Sequence, residues 1–173
     1  PDGNFVSYIH KNNIYVKELS NGKIRQLTHD GKKNKVINGT SDWVYEEEFA
    51  ITKAYDWSPD SRYIGILKFN ENNVKQFRMT FYDDLYPDSY KFKYPKAGEA
   101  NSEVSLHVYD LNTKDTYDVQ VGKAYTDFYI PRIKWTNNSN IICATTLNRH
   151  QNILNLNFVN ASDFTSKVVL NET

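Results

Sequence analysis

Three carboxylates in a row, Glu46, Glu47 and Glu48, follow Asp42, Trp43, Val44 and Tyr45 and precede Phe49. Unit charges ~4 Å apart repel by roughly 4 kcal/mol at an effective dielectric of about 20, so a structure that holds such groups together invites a cation. The backbone decides whether they can share one. On an extended strand Glu47 and Glu48 would point to opposite faces, whereas in a helical turn neighbours diverge by only about 100° and can converge on one small cation. The segment therefore reads as a short helix. Asp42, preceded by Ser41, is a suitable N-cap, and acidic residues in a first turn suit the helix dipole. The chemistry on offer is capture of a cationic ligand. A glutamate run also reads as a solvated helix face, and the local sequence leaves both readings open.

Little else in the chain points to chemistry. His10, His29, His107 and His150 are scattered, with no nucleophile partner and no metal-ligand spacing. No Gly-x-Ser-x-Gly elbow exists, so this chain alone is expected to hydrolyse nothing, and it calls for no metal and no cofactor. The single cysteine, Cys143, excludes an intrachain disulfide and reads as a buried structural thiol within an apolar run. Lys and Arg number 21 against 21 Asp and Glu, so no net field argues for nucleic acid or a membrane surface as partner. With 173 residues there is mass enough for a core. The chain starts at Pro1 inside what reads as a turn, and it is expected to be a piece of a longer protein.

The elements that would hold the glutamates are strands. Val, Ile, Thr and Tyr cluster in short runs separated by Asn, Asp, Gly and Ser, which are strand and hairpin signals. The run from Pro1 to Tyr8 recurs from Pro59 to Ile66, and more loosely from Asn137 to Ala144, with Trp57 and Trp135 preceding the last two at the same offset. A second element follows each copy, beginning at Ile14, Leu106 and Leu154, and reads as strand, turn, strand. One unit is thus an inner strand ending at the tryptophan, a turn, a second strand and a hairpin. Four antiparallel strands of this kind resemble one blade of a β-propeller. The fold class is all-β: a partial propeller of about two to three four-stranded blades.

Two insertions break the period. From turn to hairpin takes 13 residues in the first copy (Pro1 to Ile14) and 17 in the third (Asn137 to Leu154), but 47 in the second (Pro59 to Leu106). The second excess, over about 71–104, carries Phe77, Met79, Phe81, Tyr82, Leu85, Tyr86, Tyr90, Phe92 and Tyr94, too aromatic a set to sit free in water. The other excess, over about 38–53, lies in the connection between blades and contains the glutamates. Such a link returns toward the channel of a propeller, and loops on a rigid scaffold are where binding groups tend to lie.

The motif Asp42-Trp43-Val44-Tyr45-Glu46-Glu47-Glu48, with Trp57-Ser58-Pro59-Asp60 and Tyr94-Pro95-Lys96-Ala97-Gly98-Glu99-Ala100-Asn101 behind it, closely resembles the N-terminal propeller of the dipeptidyl peptidase IV family. These are serine exopeptidases of the prolyl oligopeptidase class. The resemblance implies that Glu47 and Glu48 grip the free α-ammonium of a peptide substrate, that Glu46 orients the helix, and that Trp43 and Tyr45 are packing anchors. It implies that the aromatic segment, including Phe81, Tyr82, Leu85, Tyr86, Tyr90, Phe92 and Tyr94, is an arm that helps form a homodimer, though here a few residues shorter. It implies a catalytic α/β-hydrolase domain beyond Thr173, release of dipeptides with proline second, and a periplasmic, membrane-anchored or extracellular setting. A tripeptidyl peptidase of the same class, or a non-catalytic peptide-binding propeller, carries the same acidic motif.

Overall fold

The computed structural model describes residues 1–121 and 127–173. Three β-meanders follow one another. In the first, β1 (Phe5–His10), β2 (Asn13–Glu18) and β3 (Ile24–Gln26) pair antiparallel in that order. The second begins with β4 (Val36–Asn38), leaves the sheet for the helix α1 (Trp43–Phe49), returns as β5 (Tyr55–Trp57) and continues with β6 (Tyr63–Asn70). A separate hairpin, β7 (Gln76–Phe81) and β8 (Asp88–Lys93), then intervenes before β9 (Glu103–Asp110) and β10 (Thr116–Val119) complete the sheet. The third meander is β11 (Phe128–Trp135), β12 (Ile141–Asn148), β13 (Leu154–Asn160) and β14 (Ser166–Glu172). Among the described residues this is a partial all-β propeller: a three-stranded blade, a second blade whose inner edge is shared by β4 and β5, and a four-stranded third. Among the described residues no helix is long and apolar enough to cross a membrane.

Strand β6 explains how the blades adhere. It is apolar on both faces because it lies between two cores: Ile64 and Ile66 join Ile14, Val16, Leu27 and Tyr109 toward the first blade. The alternate residues Tyr63, Leu67 and Phe69 join Ile130, Trp135 and Ile142 toward the third. Period-two alternation thus divides one strand between two interfaces. Gly65 keeps the second of them close: a Cβ there would stand 2.4 Å from Ile142 Cδ1.

The repeated tryptophans fasten each blade to its predecessor. Trp57 Nε1 donates to Ser7 Oγ at 2.8 Å, and Trp135 Nε1 donates to the Asp56 carbonyl at 2.9 Å. Their rings stack on Phe5 and Tyr63 at 6.2 and 5.8 Å, residues that occupy equivalent positions in the repeated turn-strand unit. Cys143, expected to be buried, is only partly so, although burial still pushes its thiol upward.

Candidate functional site

The glutamate helix interrupts the inner strand of the second blade instead of preceding it. Both β4 and β5 pair with β6 along the same edge, Val36 to Asn38 opposite Asn70 to Lys68 and Tyr55 to Trp57 opposite Ile66 to Ile64. Residues 39–54 loop out between them. The neck is closed by three backbone bonds: Gly39 N–H to the Leu67 carbonyl, Ala54 N–H to the Gly39 carbonyl, and Leu67 N–H to the Ala54 carbonyl, each 2.9 Å. Gly39 has φ +76°, and a Cβ would come within 2.8 Å of Ile9 Cδ1, so both conformation and space call for glycine.

Within the loop the helix is fixed at both ends. Asp42, in extended conformation, caps it by accepting from Tyr45 N–H at 2.9 Å. Ala50 ends it in the left-handed region. Tyr45 is the anchor. Its side chain is 1% exposed, its ring meets Phe69 edge-on at 4.6 Å, and its hydroxyl accepts from Ile130 N–H at 2.9 Å. Val44 is buried beside it, and Phe49 packs on Tyr129 at 5.3 Å. Trp43 is half-buried and meets Tyr94 edge-on at 4.4 Å.

Glu46, Glu47 and Glu48 are all exposed. Among the described residues none of the three is in an ion pair or a side-chain hydrogen bond. Their oxygens are therefore open to a ligand's donors, while the backbone beneath them is held by the core.

Beneath the cap lies a buried polar cluster that sequence reasoning missed. The Ser102 hydroxyl donates to the second oxygen of Asp42. Glu71 is buried nearby. Burial drives the Asp42 carboxyl above the usual range, against the pull of the Ser102 and Tyr45 hydrogen bonds. Burial, helped by the charge of Asp42 and opposed by Lys93, pushes Glu71 up to about 7. Each of these residues ends a segment, Glu71 just after β6 and Ser102 just before β9. A polar residue where an insertion leaves or rejoins an apolar strand was the available signal.

The hairpin β7–β8 projects from between β6 and β9. Phe81, Tyr82, Leu85, Tyr86 and Tyr90 are exposed, with Leu85 at 98%, while Phe92 and Tyr94 are half-buried at its root. There Trp43, Phe77, Met79, Phe92 and Tyr94 line an apolar cleft of about 550 Å³. The structure thus joins helix and hairpin through Trp43 and Tyr94, and leaves the hairpin tip apart from the glutamates in its contacts.

Comparison with known proteins accords with this architecture. The chain is 35% identical over 181 residues to dipeptidyl aminopeptidase B of Saccharomyces cerevisiae, covering 100% of this chain and 22% of that protein. It is 34% identical over 164 residues to human prolyl endopeptidase FAP, covering 88% and 21% respectively. The crystal structure of Porphyromonas gingivalis dipeptidyl peptidase 4 superposes with a TM-score of 0.96 at 41% identity, over 100% of this chain and 25% of that one. The chain spans about a fifth of the length of these curated relatives. The profile of the dipeptidyl peptidase IV (DPP IV) N-terminal region matches residues 1–173, and the chain belongs to that family.

Proposed function

We propose that this chain is the substrate-recognising propeller portion of a serine-type dipeptidyl peptidase, in which Glu47 and Glu48 bind the α-ammonium of the peptide. The observation that carries this reading is the contrast within α1: a capped, core-anchored backbone presenting adjacent exposed carboxylates that have no cation among the described residues. An ammonium offers three donors, and each charge-assisted hydrogen bond contributes roughly 1.5–3 kcal/mol. Fixing the peptide's leading amine at a set distance from a nucleophile supplied elsewhere makes the enzyme count residues from the end. Binding energy from this remote group also orients the scissile bond.

Glu47→Gln and Glu48→Gln keep the size and polarity of the side chains and remove the charge. In the full-length protein each is expected to lower kcat/KM on an H-Gly-Pro reporter at least tenfold, about 1.4 kcal/mol of transition-state binding, with thermal unfolding unchanged. Equal turnover by both variants and the parent would remove the ammonium role. A reporter extended by one residue tests the tripeptidyl alternative in the same assay.

The exposed hairpin supports the second half of the proposal, a homodimer contact. Every residue of β7 is exposed, and the apolar side chains continue through the tip; exposed apolar patches of this kind mark association surfaces. The double substitution Leu85→Asp and Tyr86→Asp is expected to shift the full-length protein from dimer to monomer in sedimentation velocity. An unchanged sedimentation coefficient would assign the dimer contact elsewhere.

A further inference from the structure

The hairpin and the glutamate helix are far apart in sequence and joined at their roots. The segment between β6 and β9 departs at Glu71 and returns at Ser102, and its neck is closed where Asn70 faces Glu103 and donates to its carboxylate at 3.1 Å. The returning segment, Tyr94 to Ser102, then meets the start of the helix directly and its end through Tyr129. Tyr94 braces Trp43, the first helical residue, at 4.4 Å. Asn101 Nδ2 donates to the Tyr129 hydroxyl at 2.8 Å, and the Tyr129 ring packs on Phe49, the last helical residue, at 5.3 Å. At the cap, the two oxygens of Asp42 are divided between helix and hairpin root: one accepts from Tyr45 N–H inside the helix, the other from the Ser102 hydroxyl of the returning segment.

A buried carboxylate with one oxygen tied to each element fixes their relative position. Removing one donor leaves a buried oxygen without a partner, which costs more than the hydrogen bond itself contributes. The cap then has reason to rotate toward water, and a short helix that loses its cap frays from the first turn. Glu47 and Glu48 sit within that same two-turn helix. Their convergence on one ammonium depends on its backbone staying helical.

We propose that Ser102 is a positioning residue for the glutamate pair, acting through the Asp42 cap, so that the returning root of the hairpin sets the affinity of Glu47 and Glu48 for a cationic amine. This rests on the reading of that pair as an amine site. It adds a consequence: anything that shifts the hairpin root, including contact at its exposed tip, alters amine affinity without touching the glutamates.

The test compares Ser102→Ala, Ser102→Thr, Glu47→Gln and Glu48→Gln in the full-length protein, measuring KM and kcat on the H-Gly-Pro reporter and hydrogen exchange at the amides of Tyr45 and Glu46. Ser102→Ala is expected to raise KM about tenfold with kcat within twofold, and to speed exchange at both amides. Ser102→Thr retains a hydroxyl and is expected to restore both readouts. Normal KM in Ser102→Ala, alongside a tenfold loss in the glutamine variants, overturns this inference alone. Normal KM and kcat in all of them overturn the amine reading first, and this one with it. Unchanged exchange in Ser102→Ala overturns the hold of Ser102 on the helix, whatever the glutamates bind.

Discussion

Tyr45→Ala is expected to lower stability by about 3–5 kcal/mol and to free the glutamate helix from the blade. The ring is 1% exposed and lies among Phe49, Phe69 and Tyr129 at 5.2, 4.6 and 6.1 Å. Truncation removes that burial and leaves a cavity between the second and third blades. It also strands the Ile130 N–H, which donates to the Tyr45 hydroxyl at 2.9 Å in the interior. Tyr45→Phe isolates the second loss: it keeps the ring and is expected to cost about 1–3 kcal/mol for the unpaired amide. Since whole domains are stable by only about 5–15 kcal/mol, the alanine variant should be visibly weakened. Thermal unfolding ranks the three proteins, and hydrogen exchange at Ile130 separates them by mechanism. Exchange at that amide should quicken in both variants. Indistinguishable unfolding of Tyr45→Ala and the parent would mean that the ring does not carry the helix.

Tyr45 also shows where legibility stops. The helix around it is written locally: Asp42 three residues before the amide it caps, and acidic residues in the turns that follow. The blades are legible for a related reason, since Trp57 and Trp135 recur at the offset at which each reaches back to the preceding blade, and Phe5 and Tyr63 recur as the rings they stack on. What the repeat hides is pairing at a distance. Tyr45 and Ile130 are 85 positions apart, and Asp42 and Ser102 are 60 apart. No periodicity connects them. The excess length around the glutamates was visible as a connection between blades, yet β4 and β5 prove to be two pieces of one strand. Three residues of β4 are too few for alternation to announce a strand, and only the shared partner β6 reveals that the helix was let out of the middle of it. The outward apolar face of β7 was legible as an anomaly, because aromatic side chains there have no blade to pack on.

The buried carboxyls below the cap give the second large effect, which is a dependence on pH. Glu71 titrates near 7 in the folded chain, against about 4.3 when unfolded. Its folded value is raised, so between those two pH values the folded state holds the proton that the unfolded state has released. Stability therefore falls as pH rises through that window, and above it the penalty is constant. A displacement of this size corresponds to about 4 kcal/mol, which partial screening by solvent reduces to about 2–3 kcal/mol. Asp42 acts in the same direction, its carboxyl being raised mainly by burial. Lys93 opposes the trend at Glu71, and its Nζ is already engaged with the Val74 carbonyl at 2.5 Å. Glu71→Gln removes the ionisation while keeping the shape. It is expected to match the parent at about pH 3, where Glu71 is largely protonated in both states, and to exceed it by about 2–3 kcal/mol at about pH 8, where the parent must bury the charge. Denaturant or thermal unfolding of the full-length protein at the two pH values reads the difference directly. A variant whose advantage is the same at both would show that Glu71 carries no proton into the fold. The penalty also has a location: at pH 8 a second negative charge stands beside the carboxylate that caps the glutamate helix, so the strain falls on the root shared by helix and hairpin. Hydrogen exchange at Tyr45 and Glu46 should accordingly quicken between pH 6 and 8 beyond the intrinsic rate increase in the parent, and not in Glu71→Gln.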